Sequence, residues 1–189
     1  MNSSPAAVDA LEDAGRLFRK AKRILILTGA GLSTPSGIPD FRSEGSGLWS
    51  RDEPLEVASL NTFRTAPEKF FEWFRPLASQ IFNAQPNAAH LALAELEQRD
   101  ARVAIATQNI DALHQKAGST NVFELHGSIR TLSCTQCFKR YESPSFLQAY
   151  IKSGAIPLCP SCNGILKPDV ILFGEQLPQA AWNAAQRET

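Results

Sequence analysis

Gly29-Ala30-Gly31-Leu32-Ser33, continued by Ser36-Gly37-Ile38-Pro39-Asp40-Phe41-Arg42-Ser43, decides how the rest of the chain is read. It follows Ile24-Leu25-Ile26-Leu27, which is too short for a helix and apolar at every position. Such a run is expected to be a strand buried on both faces, as in a parallel sheet covered by helices. Glycines directly after such a strand let the backbone turn tightly and approach a ligand, so that free N–H groups meet a pyrophosphate. Taken alone, Gly-Ala-Gly reads better as an ordinary strand-to-helix turn, and Thr34 stands where a dinucleotide fingerprint carries its third glycine. Asp40, Phe41 and Arg42 are less ordinary. A charged pair beside an aromatic, in a loop after a parallel strand, sits where such sheets house ligand chemistry.

The chain has 189 residues and balanced charge. That length can bury a substantial core, and a net charge of zero argues against a nucleic-acid grip, which needs a basic face. No run reaches the length of a membrane span, and Asp9, Glu12 and Asp13 interrupt any signal-peptide pattern. A cytoplasmic protein is expected. The four cysteines fall in two close pairs, which in a reducing compartment point to metal rather than disulfides.

Ser4 and Pro5 are expected to open a helix carrying Val8, Leu11, Ala14, Phe18 and Ala21 on one face. The cations that crowd its end read as a solvated helix terminus. Residues 45–59 read as loop with short turns. Thr65-Ala66-Pro67-Glu68 has the form of a capping box before Phe70, Phe71, Trp73, Phe74, Leu77 and Ile81, and Pro76 is expected to kink or interrupt that helix. An aromatic cluster of this kind is usually core, although one edge of it can wall an apolar channel. Asn87 caps a further helix with Leu91, Leu93 and Leu96. Val103–Thr107 and Val122–His126 read as a second and a third strand, giving an α/β core with parallel strands and right-handed crossovers. The cysteine segment interrupts this alternation, and Val170–Phe173 returns to apolar extended chain.

Cys134-x-x-Cys137 and Cys159-x-x-Cys162 can each present two thiolates to one ion, completing a closed tetrahedral zinc site. Redox use of either pair is the alternative. A closed site leaves no position for water, so this metal is a staple. Gln108-Asn109-Ile110-Asp111 stands at the end of the second strand and His126-Gly127 at the end of the third. In an open parallel sheet both ends face the crevice beneath the Gly loop. His90 and His114 fall in helical segments and read as packing residues. His126 ends a strand, and an imidazole there can take a proton from a hydroxyl; from the residues alone, base and bystander remain equal readings.

These motifs, together with Lys167-Pro-Asp-Val-Ile-Leu-Phe-Gly-Glu175, occur in one order and resemble the sirtuin family of NAD-dependent protein deacylases, in a bacterial-type, C-terminally short form. The resemblance implies a Rossmann-type parallel sheet, incomplete at the C-terminus, with a smaller helical plus zinc-ribbon domain. Its core would take residues 1–37, 88–128 and 166–189, with a helical insert at 38–87 and a zinc-binding insert at 129–165. NAD would lie against Gly29, Ala30, Gly31, Ser33, Ile38, Asp40, Phe41 and Arg42, with Gln108 and Asn109 at the ribose and Ile110 and Asp111 at the nicotinamide amide. Asn109 and His126 would be catalytic. In the chemistry that the resemblance implies, the acyl oxygen would attack the ribose carbon as nicotinamide leaves, and His126 would act as base on a ribose hydroxyl. An acetyl-lysine protein or peptide would enter between the two domains, meeting Ile171, Phe173 and Gly174.

The subgroup that prefers succinyl or malonyl lysine carries a Tyr-x-x-Arg pair in the helical insert; Phe74 and Leu77 match those positions here. An apolar pocket favours acetyl or longer neutral acyl groups. A monomer is expected. Family members continue well past the Phe-Gly-Glu motif, so the first strand is expected to keep an unpaired edge and NAD to bind weakly or not at all. The competing readings are a non-catalytic fragment, a zinc-ribbon interaction module with a degenerate NAD site, and an NAD-linked oxidoreductase. The zinc module leaves Gln108 to Asp111 and His126 unexplained, and Thr34 and the cysteine insert oppose the oxidoreductase.

Overall fold

A computed structural model describes residues 5–45, 47–50, 52–99 and 102–189, with backbone alone for 5–10. The chain runs α1 (Pro5–Lys20), β1 (Ile24–Thr28), two 3-10 turns (Ala30–Leu32 and Thr34–Ser36), a third at Leu48–Ser50, α2 (Pro54–Val57), α3 (Leu60–Thr65), α4 (Pro67–Asn83) and α5 (Ala88–Arg99). It continues with β2 (Val103–Thr107), α6 (Leu113–Ala117), β3 (Val122–Glu124), β4 (Gly127–Cys134), β5 (Arg140–Glu142), α7 (Pro144–Ser153), β6 (Leu166–Val170) and α8 (Gln179–Arg187). The N-cap expected at Ser4 and the apolar contact of Val8 lie outside the described side chains.

Among the described residues two three-stranded sheets form, one parallel in the order β1-β2-β3, the other antiparallel in the order β5-β4-β6. In β2 every residue is buried, as expected of a central strand. In β1 the expectation of burial on both faces fails: Leu27 is 65% exposed. The cause is position, since β1 pairs only with β2 among the described strands and lies at the sheet edge. The third strand ends at Glu124, two residues before His126. The segment 166–170, grouped from sequence with the parallel sheet, instead forms β6 beside β4, with Cys134 opposite Leu166. The chain leaving Cys162 must return past Cys134 if four sulfurs are to meet, and that return makes an antiparallel pair.

The capping box at Thr65 does not form. The Thr65 hydroxyl donates back to the Asn61 carbonyl at 2.9 Å, closing α3, and α4 starts from Ala66 without a side-chain cap. α3 is itself capped by Ser59, whose oxygen accepts from the Thr62 N–H at 3.1 Å. α4 passes through Pro76 as one helix. Phe70, Phe71, Phe74, Leu77, Ala78 and Ile81 are buried along it, and that packing outweighs the backbone bond which proline removes. Its core continues into α7, where the Tyr150 hydroxyl donates to the Phe71 carbonyl and Arg75 donates to the Ile151 carbonyl at 2.8 and 3.0 Å. The helical and cysteine-bearing inserts therefore share one apolar core.

Candidate active site and metal centre

The C-terminal ends of β1, β2 and β3 are tied together by their own polar groups. The Thr28 and Thr107 hydroxyls bond at 2.8 Å, the Gln108 N–H donates to the Thr28 carbonyl, and the Leu125 N–H donates to the Thr107 carbonyl. Directly beyond, Asn109 donates from Nδ2 to the Gly29 carbonyl at 3.1 Å and to Ser33 Oγ at 3.0 Å. Ser33 Oγ donates to Asp111 Oδ2 at 2.6 Å, and the Leu113 N–H donates to Asp111 Oδ1 at 2.9 Å. Ala112, between them, is left-handed at φ 60°, a conformation that costs a residue with a side chain on the order of 1 kcal/mol. That turn lets the Asp111 carboxylate cap α6 while it still meets Ser33. Ser33, Asn109 and Asp111 are all buried.

The Gly loop is shaped as two successive 3-10 turns closed by left-handed Gly37 at φ 85°. Asn87, read from sequence only as a helix cap, does cap α5 by accepting from the Ala89 N–H at 2.9 Å. It also clamps the loop, donating to the Leu32 carbonyl at 2.8 Å and to Ser36 Oγ at 3.0 Å. At Gly29 and Gly31 the space for a β-carbon is open, with no atom within 4 Å. Neither glycine has a positive φ, so neither packing nor backbone strain demands it. A ligand lying against the loop does account for both. Asp40 accepts from the Arg42 and Ser43 N–H groups, and the Ser43 hydroxyl and N–H hold its carboxyl below the usual range. Phe41 stacks on Trp49 at 5.1 Å, and Trp49 in turn on Trp73 at 5.8 Å. The sequence reading missed Trp49, a lone aromatic with no periodicity. Ile38 is buried in the large apolar cluster.

His126 is half-buried, and its Nδ1 lies 3.1 Å from the Gln108 carbonyl. A carbonyl only accepts, so Nδ1 donates and the neutral ring keeps Nε2 free to take a proton. Gly127 follows at φ 74°, where a β-carbon would lie 2.0 Å from the Asp169 carbonyl oxygen. The Ile171 N–H donates to the His126 carbonyl at 2.9 Å, while Phe173 donates to the Ala58 carbonyl and accepts from the Leu60 N–H. Phe173 and Gly174 are exposed. Of the two α4 positions named from sequence, Phe74 is 1% exposed and stacked on Phe70, so its ring belongs to the core. Leu77 lines a cavity of about 510 Å³ together with Leu48, Trp73, Asp52, Lys69 and Glu72. His90 and His114 pack edge to face at 5.0 Å within the core, away from solvent.

The sulfurs of Cys134, Cys137, Cys159 and Cys162 lie within 4.8 Å of one another, the closest pairs at 3.4 and 3.7 Å. Tetrahedral zinc with four thiolates separates its sulfurs by about 3.8 Å, so this set is positioned to bind one zinc ion. N–H groups of Gln136, Cys137 and Ser161 point at the sulfurs, as knuckles require.

The model of the Sir2 family matches residues 29–189. The NAD-dependent protein deacetylase 2 of Caldanaerobacter subterraneus subsp. tengcongensis is 43% identical over 88% of this chain and 67% of its own length. The NAD-dependent protein deacylase of Thermus thermophilus is 41% identical over 95% of this chain and 70% of its own. The chain thus spans about two thirds of the length of these relatives. Among solved structures, a Sir2 complex with deacetylated p53 peptide and 3'-O-acetyl ADP-ribose superposes with a TM-score of 0.86 at 37% identity, covering 94% of this chain and 71% of that one. A further Sir2 enzyme structure gives 0.85 at 44% identity, covering 95% and 71%. With its parallel sheet, Gly loop, strand-tip Asn, Asp and His, and four-cysteine cluster in this arrangement, the chain belongs to the Sir2 family.

Proposed function

We propose that this chain is an NAD-dependent protein-lysine deacetylase that transfers the acetyl group of an acetyl-lysine protein or peptide to ADP-ribose and releases nicotinamide. The observation that carries the reading is the orientation of His126. Its Nδ1 is committed to the Gln108 carbonyl, so Nε2 is the atom left to act as base, next to the strand end where Asn109, Asp111 and Ser33 bond to one another. Bound NAD supplies the electrophilic ribose carbon, so no Ser or Cys nucleophile is needed. In this reading Gly29, Ala30, Gly31, Ser33, Ile38, Asp40, Phe41 and Arg42 hold the dinucleotide, and Gln108, Asn109, Ile110 and Asp111 orient its ribose and amide. Asn109 fixes the position of the reacting groups through its bond to Ser33, and Ile171, Phe173 and Gly174 receive the peptide. Zinc at the four cysteines fixes the antiparallel sheet. We place the enzyme in the cytoplasm, where four free thiolates persist, and as a monomer, since one chain supplies all three strand tips.

Incubation with an acetyl-lysine peptide and NAD in large excess, to offset the weak binding expected of this chain, should release nicotinamide and deacetylated peptide in equal amounts. His126→Ala should lower turnover by at least about a hundredfold with zinc content unchanged, the usual scale for a lost general base. Turnover by His126→Ala at the wild-type rate would overturn the assignment.

A further inference from the structure

The segment joining β6 to the exposed Phe173 is bracketed at its two ends by an ion pair. Lys167 Nζ lies 2.9 Å from Glu175 Oε2, with both side chains largely buried, at 15% and 20% exposure. The same ammonium donates to the Val170 carbonyl at 2.7 Å and to the Pro168 carbonyl at 3.2 Å, so all three of its protons are used. The same carboxylate oxygen accepts the Leu172 N–H at 2.8 Å, while the Glu175 N–H donates to the Leu172 carbonyl at 3.0 Å. Two side chains eight positions apart thus close residues 168–175 into a strap. Along it, the Ile171 N–H reaches the His126 carbonyl and Phe173 bridges Ala58 and Leu60. The strap touches both the residue that carries the free imidazole nitrogen and the helical insert.

We propose that Lys167 and Glu175 are positioning residues: their ion pair fixes the Ile171–Gly174 backbone so that an incoming acyl-lysine peptide meets the exposed Phe173 and Gly174 already in place, on the strap that reaches His126 through Ile171. The inference rests on the deacetylase reading for the identity of the peptide. It follows from the geometry, because a free strap would have to lose backbone entropy each time a peptide paired with it. The pair touches no reacting atom, so its loss falls on peptide binding more than on the chemical step.

The test compares the full chain with Glu175→Gln and Lys167→Met, and with Lys167→Arg as the conservative variant. Glu175→Gln is nearly isosteric and keeps an acceptor for the Leu172 N–H, so it tests the charge pair without emptying the site. Hydrogen exchange of the Leu172 and Phe173 amides should quicken in both disrupted variants. The Kd of a fluorescein-labelled acetyl-lysine peptide should rise about tenfold, with a smaller effect on kcat and on the KM for NAD. Lys167→Arg should recover most of the peptide affinity. Unchanged peptide affinity in both variants, or weaker binding without faster exchange in the strap, overturns the proposal. Should the wild-type chain bind the peptide but release no nicotinamide, the deacetylase reading falls, while exchange and peptide affinity still judge the strap.

Discussion

At the scale of single residues, backbone geometry and buried charge make separate demands. Gly127 sits at φ 74° with the Asp169 carbonyl where a β-carbon would go. Gly127→Ala must therefore part β4 from β6 next to His126, and should destabilise the fold by at least about 2 kcal/mol in urea titration, from strain and overlap together. The buried histidines set a pH limit. Burial pushes the His114 pKa down to about 4, with His90 adding to the effect and the Asp111 charge opposing it. Burial lowers His90 as well, again against Asp111. Thr28, the other polar group on the His114 ring, does not titrate. The unfolded chain titrates its imidazoles near pH 6.5, so between about 6.5 and 4 it binds more protons than the folded one. Stability is thus full above about pH 6.5 and is lost as pH falls towards 4. Unfolding free energies from urea titrations at pH 7.5 and 5.0 should differ by on the order of 1–2 kcal/mol, allowing for screening, and His114→Gln should shrink that difference.

At the scale of elements, the antiparallel sheet should depend on a zinc ion at the four cysteines. β4 is linked to β5 and β6 by chain segments that converge on the four sulfurs, and Leu132, Leu166, Cys134 and Cys159 form a small cluster of their own. Removing zinc with a chelator should leave four crowded thiols and melt β4–β6 and α7 before the parallel sheet. Near-UV circular dichroism and a drop in Tm that zinc restores would check this. The elements also show what the residues disclosed in advance. Val103–Thr107 was legible because a central strand is apolar on both faces, and the cysteine pairs because metal chemistry dictates their spacing. Leu27 carries the same apolar signal, yet its exposure depends on which strand ends the sheet, a fact set by topology and not by the residue. Thr65 carries the pattern of a cap, but a neighbouring carbonyl at Asn61 captured its hydroxyl, and α3 was too short to show a period. The Asn109–Ser33–Asp111 contacts join positions far apart in sequence, so only their arrival at common strand tips was readable, not the bonds.

At the scale of the whole molecule, the cavity that borders α4 is where the proposed deacetylase would seat the acyl group. The cavity of about 510 Å³ is walled by Pro39 and Leu48 from the loop after β1, by Val57 from α2, and by Trp73, Pro76 and Leu77 from α4. Trp73 connects it to the site through Trp49, which stacks on Phe41 and meets Phe173 edge-on at 6.0 Å. The charged groups at its wall are Asp52 and Glu72 against Lys69, and Lys69 is already drawn to Glu56 at 3.4 Å. Among the described residues no arginine lines the cavity, Leu77 is buried and apolar, and the Phe74 ring is spent in the core. A carboxylate carried in on a succinyl group would face two acids for one engaged lysine, whereas a neutral chain can lie against Leu48, Val57, Trp73 and Leu77 without that repulsion. Acetyl and butyryl peptides should therefore exceed a succinyl peptide in kcat/KM by roughly a hundredfold, about 2.7 kcal/mol of discrimination. Leu77→Arg should narrow that gap from the succinyl side by supplying the missing partner. Equal rates on acetyl and succinyl peptides would mean that the acyl chain is held elsewhere, away from the α4 face that Trp73 and Leu77 present.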